Sequence, residues 1–300
     1  MEDLKNINLG FYEPDEDAMP FIKVIIKGKG PRMIPVLMLM DSGSSLNMLV
    51  TEVRELIDPQ NWLPEESTEM VSITNETLKT PCANFCFEMN GKKFQEKFCF
   101  MDNFNVMEYK GVPLVGVLGI QFMQKHHLCI DYINQSVCTS DLFSGSTRDN
   151  NVEYYIPVEY GIKYYNAPTI EIKGKNRNII MVVDTGTDSI TISREVIEDN
   201  MLPFKLTGNN YSLDGPNGSV DAEECMLELN IPVHSVNGIC ELKILETMMI
   251  IPNSINTIEE GECDDDGNPL STIDGLLSSP FMAKQGWILD FAQKVIYKLK

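Results

Sequence analysis

Two halves of this chain carry the same punctuation at nearly the same intervals, which restricts the fold to something built twice. The apolar run Val36-Leu37-Met38-Leu39-Met40 leads into Asp41-Ser42-Gly43, and Ile179-Ile180-Met181-Val182-Val183 leads into Asp184-Thr185-Gly186. Average residue usage puts one such tripeptide in roughly one chain in ten of this length, so a single copy reads as an ordinary turn capped by Asp. The surroundings repeat as well. Ile26-Lys27-Gly28-Lys29 recurs as Ile172-Lys173-Gly174-Lys175, Leu118 to Met123 is answered by Leu277 to Met282, and Cys129-Ile130-Asp131-Tyr132 by Ile288-Leu289-Asp290-Phe291. The offset is 143 residues at the Asp turns and 159 at the last block, and the acidic segment 254–269 is the expected place for the 16 extra residues.

Within each half, short β-branched and aromatic runs alternate with Gly, Pro and Asn turns, which predicts strands. They are expected at Ile22 to Lys27, Val36 to Met40, Met70 to Thr74, Asn84 to Met89 and Phe94 to Met101, then at Thr169 to Lys173, Ile179 to Val183, Met226 to Ile231 and Leu242 to Ile251. Short helices fit Thr51 to Leu56, Ile120 to Lys125, Ser193 to Asp199 and Pro280 to Lys284. Ser, Gly, Thr, Arg and Asn cluster from Ser144 to Asn151, so the expected architecture is all-β, with two lobes at residues 1–147 and 148–300. At 43% hydrophobic, each half has enough material for its own core.

A formal charge of −20 argues against nucleic acid or anionic lipid as partner. The charged first residues and the lack of a long apolar run predict a cytoplasmic protein without secretory signal or membrane span. In that compartment the eight cysteines are expected to be free thiols, with Cys82 and Cys86 read as buried strand thiols rather than metal ligands. Glu262, Asp264 and Asp266 alternate ahead of Gly267 like a calcium loop, but Ile273 stands where the closing Glu would be, so an exposed acidic loop is expected. His126 and His127 are expected at a helix end, Trp62 and Trp287 in packing, and Asp131 and Asp290 at strand-end turns. No metal or cofactor is expected.

An Asp at the end of an apolar strand is held by the core while its carboxylate emerges on a loop. Two of them brought within hydrogen-bonding reach cannot both ionise, so they share one proton and divide the roles of base and acid. The base can then take a proton from a water while the acid supports a developing oxyanion. Ser44 and Thr187, three residues after each Asp, are placed to donate hydroxyl hydrogen bonds to the carboxylates, which would lower the pair's titration.

Over nearly all of both halves these motifs resemble the pepsin and retropepsin clan of aspartic proteases. Asp41-Ser42-Gly43-Ser44-Ser45 is similar to the clan's first motif and Asp184-Thr185-Gly186-Thr187 to its second. Leu114 to Gly119 and Ile273-Asp274-Gly275-Leu276-Leu277 are similar to its hydrophobic-hydrophobic-glycine element, and the closing blocks resemble bacterial retropepsin-like domains. The resemblance implies a bilobal acid-protease fold with an internal pseudo-two-fold axis, a fused pair of retropepsin-like units. It implies Asp41 and Asp184 as the catalytic dyad, Ser42 and Thr185 exchanging hydrogen bonds between lobes, Ser44 and Thr187 supporting the carboxylates, and Gly43 and Gly186 keeping the turns tight. Flaps would lie near Asn75 and Glu76 and near Gly215 and Gly218. The implied activity is hydrolysis of extended polypeptides by a monomer whose dyad forms within one chain. Departures from the pattern are Asp188 in place of a small hydroxyl residue, adding a third negative charge, Ser278 where the first half has Gly119, and no flap tyrosine. The alternative function on this fold is a non-catalytic peptide-binding module.

Overall fold

The computed structural model describes residues 7–56, 66–71, 77–101, 106–140, 151–161, 166–215, 218–253 and 272–300. Its strands in the first half are β1 (Asn8–Gly10), β2 (Phe21–Lys27), β3 (Met33–Asp41), β4 (Met48–Val50), β5 (Glu66–Val71), β6 (Thr77–Met89), β7 (Lys92–Met101), β8 (Met107–Tyr109), β9 (Val112–Gly119), β10 (Leu128–Asp131) and β11 (Ser136–Thr139). The second half adds β12 (Val152–Pro157), β13 (Thr169–Ile172), β14 (Ile179–Val183), β15 (Thr191–Ser193), β16 (Phe204–Gly215), β17 (Gly218–Ser235), β18 (Gly238–Ile251), β19 (Gly275–Leu277), β20 (Trp287–Asp290) and β21 (Val295–Leu299). The chain is all-β with short helices at Val53–Leu56, Ile120–Lys125, Arg194–Asp199 and Ser279–Gln285. Among the described residues no helix is long and apolar enough to cross a membrane.

Six strands close a barrel in the order β2, β3, β9, β4, β7, β6 and back to β2 at Ile25↔Glu88. Alternation makes the inner face: Ile22, Val24 and Ile26 are buried while Lys23 and Lys27 point to solvent. β3 is buried on both faces from Val36 to Met40 and runs inside the sheet, between β2 and β9. Pro35 is tolerated since it precedes Leu37, where β9 joins. In the second half β13, β14, β19, β15, β18 and β17 follow one another with the same sequence of parallel and antiparallel pairings. There Lys173 N–H donates to Asn230 O (2.9 Å), where β2 meets β6 in the first half.

A further group of strands, β1-β11-β10-β20-β21-β12, runs through both halves, with β10 and β20 antiparallel at Ile130↔Leu289. Sequence reading missed β1, β11, β12 and β21, since three to six residues without a turn signature carry little periodicity. One apolar cluster reaches from Ile22 and Phe98 to Trp287 and Ile296. Trp287 is fully buried and packs edge-on to Phe281, while Trp62 lies outside the described residues.

Register also revises where the extra residues sit. The offset is 143 at Met48 and Thr191, the first residues of β4 and β15. It grows to 150 at their parallel partners Cys99 and Met249, and to 159 at Gly116 and Gly275. Seven of the 16 residues therefore fall between β15 and β18 and only nine between β18 and β19. The acidic segment 254–269 itself lies outside the described residues.

The cysteine expectation is overturned at one pair. Cys82 and Cys99 form a disulfide, because β6 and β7 place them directly opposite each other with Cα atoms 4.1 Å apart. Cys86 is exposed rather than buried, since it falls on the outer face of β6. Cys129, Cys138 and Cys225 are buried free thiols and Cys240 an exposed one. His126 does end the helix Ile120–Lys125, where its Nε2 meets Glu96 (2.7 Å), and His127 follows it.

Candidate active site

Each Asp turn is fixed by the strand that runs beside it. β3 lies parallel to β9 with Asp41 opposite Gly119, and Asp184 N–H donates to Leu277 O (2.9 Å) at the end of β19. The neighbouring glycines are backbone necessities. A Cβ at Gly116 would run into Met48 O, and one at Gly275 into Thr191 O, so only glycine lets β9 and β19 pass that close to β4 and β15.

The two turns meet, and they do so reciprocally. Ser42 N–H donates to Thr185 Oγ1 (2.9 Å) and Thr185 N–H to Ser42 Oγ (3.0 Å). Ser42 Oγ–H then donates to Val183 O (2.5 Å), and Thr185 Oγ1–H to Met40 O (2.6 Å). Both hydroxyl side chains are fully buried. A Cβ at Gly43 would overlap the Asp184 carboxyl, and a Cβ at Gly186 would overlap that of Asp41. Gly43→Ala and Gly186→Ala are each expected to lower stability by about 1–3 kcal/mol. Denaturant unfolding checks this, and a loss under a few tenths of a kcal/mol would mean the carboxyls are not held where described.

Asp41 and Asp184 meet across the junction, each carboxyl lying against the other half's glycine, while keeping part of their surface exposed. Asp41 also accepts from Ser44 N–H (3.1 Å), and Asp184 from Gly186 N–H (2.8 Å). Burial pushes Asp41 above the ordinary carboxylate range despite those amides. It pushes Asp184 well above that range, with the charge of Asp41 adding to the effect. With both carboxyls pushed up and set against each other, the pair holds one proton between them.

Two expectations are corrected here. The hydroxyls of Ser44 and Thr187 turn away from the carboxyls to Leu46 O (2.8 Å) and Ser189 O (3.3 Å), closing their own turns. The pair's titration is raised rather than lowered, because taking two carboxyls out of water outweighs the amide hydrogen bonds. The third charge also acts elsewhere: Asp188 is exposed, and with Asp15 and Glu16 it adds to the burial that raises Asp17. Ser278 is buried at the position of Gly119 and opens the helix Ser279–Gln285. Of the flap candidates, Asn75 and Glu76 lie outside the described residues, between β5 and β6. Gly215 and Gly218 are the last pair at the β16–β17 turn. Beside the second turn a hollow of about 190 Å³ is lined by Asp188, Ser189, Ile190, Met249, Ser278 and Phe281.

Two supports escaped the sequence reading. Asn47 Oδ1 accepts from Gly119 N–H (2.9 Å) while its Nδ2 donates to Lys97 O (3.1 Å), tying β9 to β7 beneath the first turn. Asp274 has no exposed surface and takes both Arg177 Nη1 (2.7 Å) and Nη2 (2.8 Å), plus Ile180 N–H (2.8 Å). The counterpart of Asp274 in the first half is Val115, one residue before the shared glycine, so the repeat alone gave no hint of a charge there. Asp131 and Asp290 cap their own turns, accepting Ile133 and Asn134 N–H or Ala292 and Gln293 N–H, as expected of strand-end residues. Among the described residues no group of His, Cys, Asp and Glu is arranged to hold a metal ion. Compared with protein-family models and with curated proteins, the sequence matches none.

Proposed function

We propose that the chain is an aspartic endopeptidase of the pepsin/retropepsin type, with residues 1–147 and 148–300 as two related lobes and Asp41 and Asp184 as its catalytic pair. The observation that carries this reading is the reciprocal junction at the Asp turns. Each glycine lies against the other half's carboxyl, and each hydroxyl donates to the other half's backbone. Such a junction holds two carboxyls together at a cost in burial that a turn needing only local caps would not incur.

In this mechanism Asp41 is the base and Asp184 the acid. A water bound at the exposed edge of the pair gives its proton to Asp41 and attacks the peptide carbonyl, while Asp184 donates to the developing oxyanion. No metal takes part. The substrate is an extended polypeptide, whose backbone can pair with a hairpin such as β16–β17 and whose side chains can enter hollows such as the one beside Asp188.

The test is digestion of a denatured protein mixture from pH 4 to 7, with new termini read by mass spectrometry. New termini that disappear in both Asp41→Asn and Asp184→Asn support the reading. Folded wild type that yields none at any pH defeats it.

A further inference from the structure

The two halves match closely around the dyad, which makes one mismatch informative. Tyr132 N–H donates to Trp287 O (3.1 Å), and Phe291 N–H donates to Leu128 O (3.2 Å), so Tyr132 and Phe291 are equivalent. Likewise Ile120 N–H donates to Ser44 O (2.8 Å) and Ser279 N–H to Thr187 O (3.0 Å), so Ile120 and Ser279 are equivalent. One side of the site therefore has Phe and Ile where the other has two hydroxyls. Those hydroxyls are buried and joined: Tyr132 Oη lies 2.6 Å from Ser279 Oγ, which in turn donates to Thr185 O (2.9 Å).

Proton bookkeeping gives this chain a direction. Ser279 has one hydroxyl proton, and it goes to Thr185 O, so Tyr132 must be the donor to Ser279. Thr185 C=O and Gly186 N–H belong to the same peptide group, and Gly186 N–H donates to Asp184 Oδ1 (2.8 Å). A carbonyl that accepts a hydrogen bond polarises its own amide and makes the N–H a better donor.

We propose that Tyr132 and Ser279 are positioning residues for Asp184, forming a one-sided hydroxyl chain that strengthens the Gly186 amide against Oδ1 and leaves Oδ2 as the oxygen that carries the shared proton. The chain reaches across the molecule, because Tyr132 belongs to the first half and the turn it supports to the second. It also supplies an asymmetry that two near-identical turns would otherwise lack, and it tempers the burial that pushes Asp184 up. The proposal rests on the reading of Asp41 and Asp184 as a proton-sharing pair. The titratable groups facing Asp184 are Asp41 across the junction and Tyr132 below it, with Asp188 further along the turn.

The experiment follows the Asp41 and Asp184 carboxyl carbons by NMR through a pH titration, independently of any cleavage. Removing the chain weakens a hydrogen bond that favours charged Asp184, so its titration moves to higher pH. Tyr132→Phe and Ser279→Ala are each expected to shift the pair's upper protonation equilibrium about two- to tenfold towards the protonated form. Ser279→Thr, which keeps the hydroxyl, should restore the wild-type midpoint, and the Tyr132→Phe/Ser279→Ala double variant should shift little beyond Ser279→Ala. Folded Tyr132→Phe and Ser279→Ala proteins with unchanged midpoints overturn the proposal, and either one suffices if the other fails to fold. A wild type that cleaves nothing yet shows these shifts would defeat the endopeptidase reading and leave the hydroxyl chain standing.

Discussion

Asp184→Asn is expected to lower the proposed peptide hydrolysis by about 10²- to 10⁴-fold, the range for loss of a positioned acid or base, and Asp41→Asn by a similar factor. The same Asp184→Asn substitution should raise the thermal midpoint at pH 7. Both carboxyls titrate above an unfolded Asp, so the native state keeps a proton that the unfolded chain has released. Stability from that proton is fully present below the unfolded value, about pH 4, and is lost as pH rises through the folded titration. Asn cannot ionise, so the variant escapes the loss. Its advantage should grow from pH 4 to pH 7 and be smallest at the acid end. A scan in which Asp184→Asn is less stable than wild type at pH 7 would show that the pair is not buried as described.

Arg177→Met is expected to cost about 3–5 kcal/mol, because it leaves the charge of Asp274 buried without its partner. Arg177 itself is 43% exposed and can return to water, whereas Asp274 has no exposed surface, so the damage falls on the carboxylate. Asp274→Val copies Val115 of the first half. Combined with Arg177→Met it should recover part of the loss, leaving the Ile180 amide without its acceptor. Urea unfolding of the two single variants and the double decides it. A cost below 1 kcal/mol for Arg177→Met would mean that Asp274 finds water or another partner.

What could be read from the sequence was what the backbone itself demands. The Asp turns and the apolar strands before them were legible from the residues and their repetition, and the glycines at 116 and 275, where a side chain would strike a carbonyl, by resemblance. The junction partners Ser42 and Thr185 were legible only by resemblance, since nothing local distinguishes a hydroxyl that bonds 143 residues away. Features that depend on long-range register stayed hidden. Cys82 and Cys99 face each other only once β6 and β7 are paired, and Asp274 meets Arg177 only once β14 and β19 are parallel. Burial decided the direction of the dyad's titration, and a list of nearby hydroxyls could not foresee it.

The strands shared by both halves have a consequence in time. The turn at Asp184 is held by Leu277 and Ser279, and β10 finds its partner β20 only after residue 287. A growing chain on the ribosome therefore carries Asp41 without a fixed Asp184 turn until residues 277 to 290 have followed it. The proposed pair of carboxyls therefore assembles only once these strands are made, and a product cut short before residue 277 would lack it.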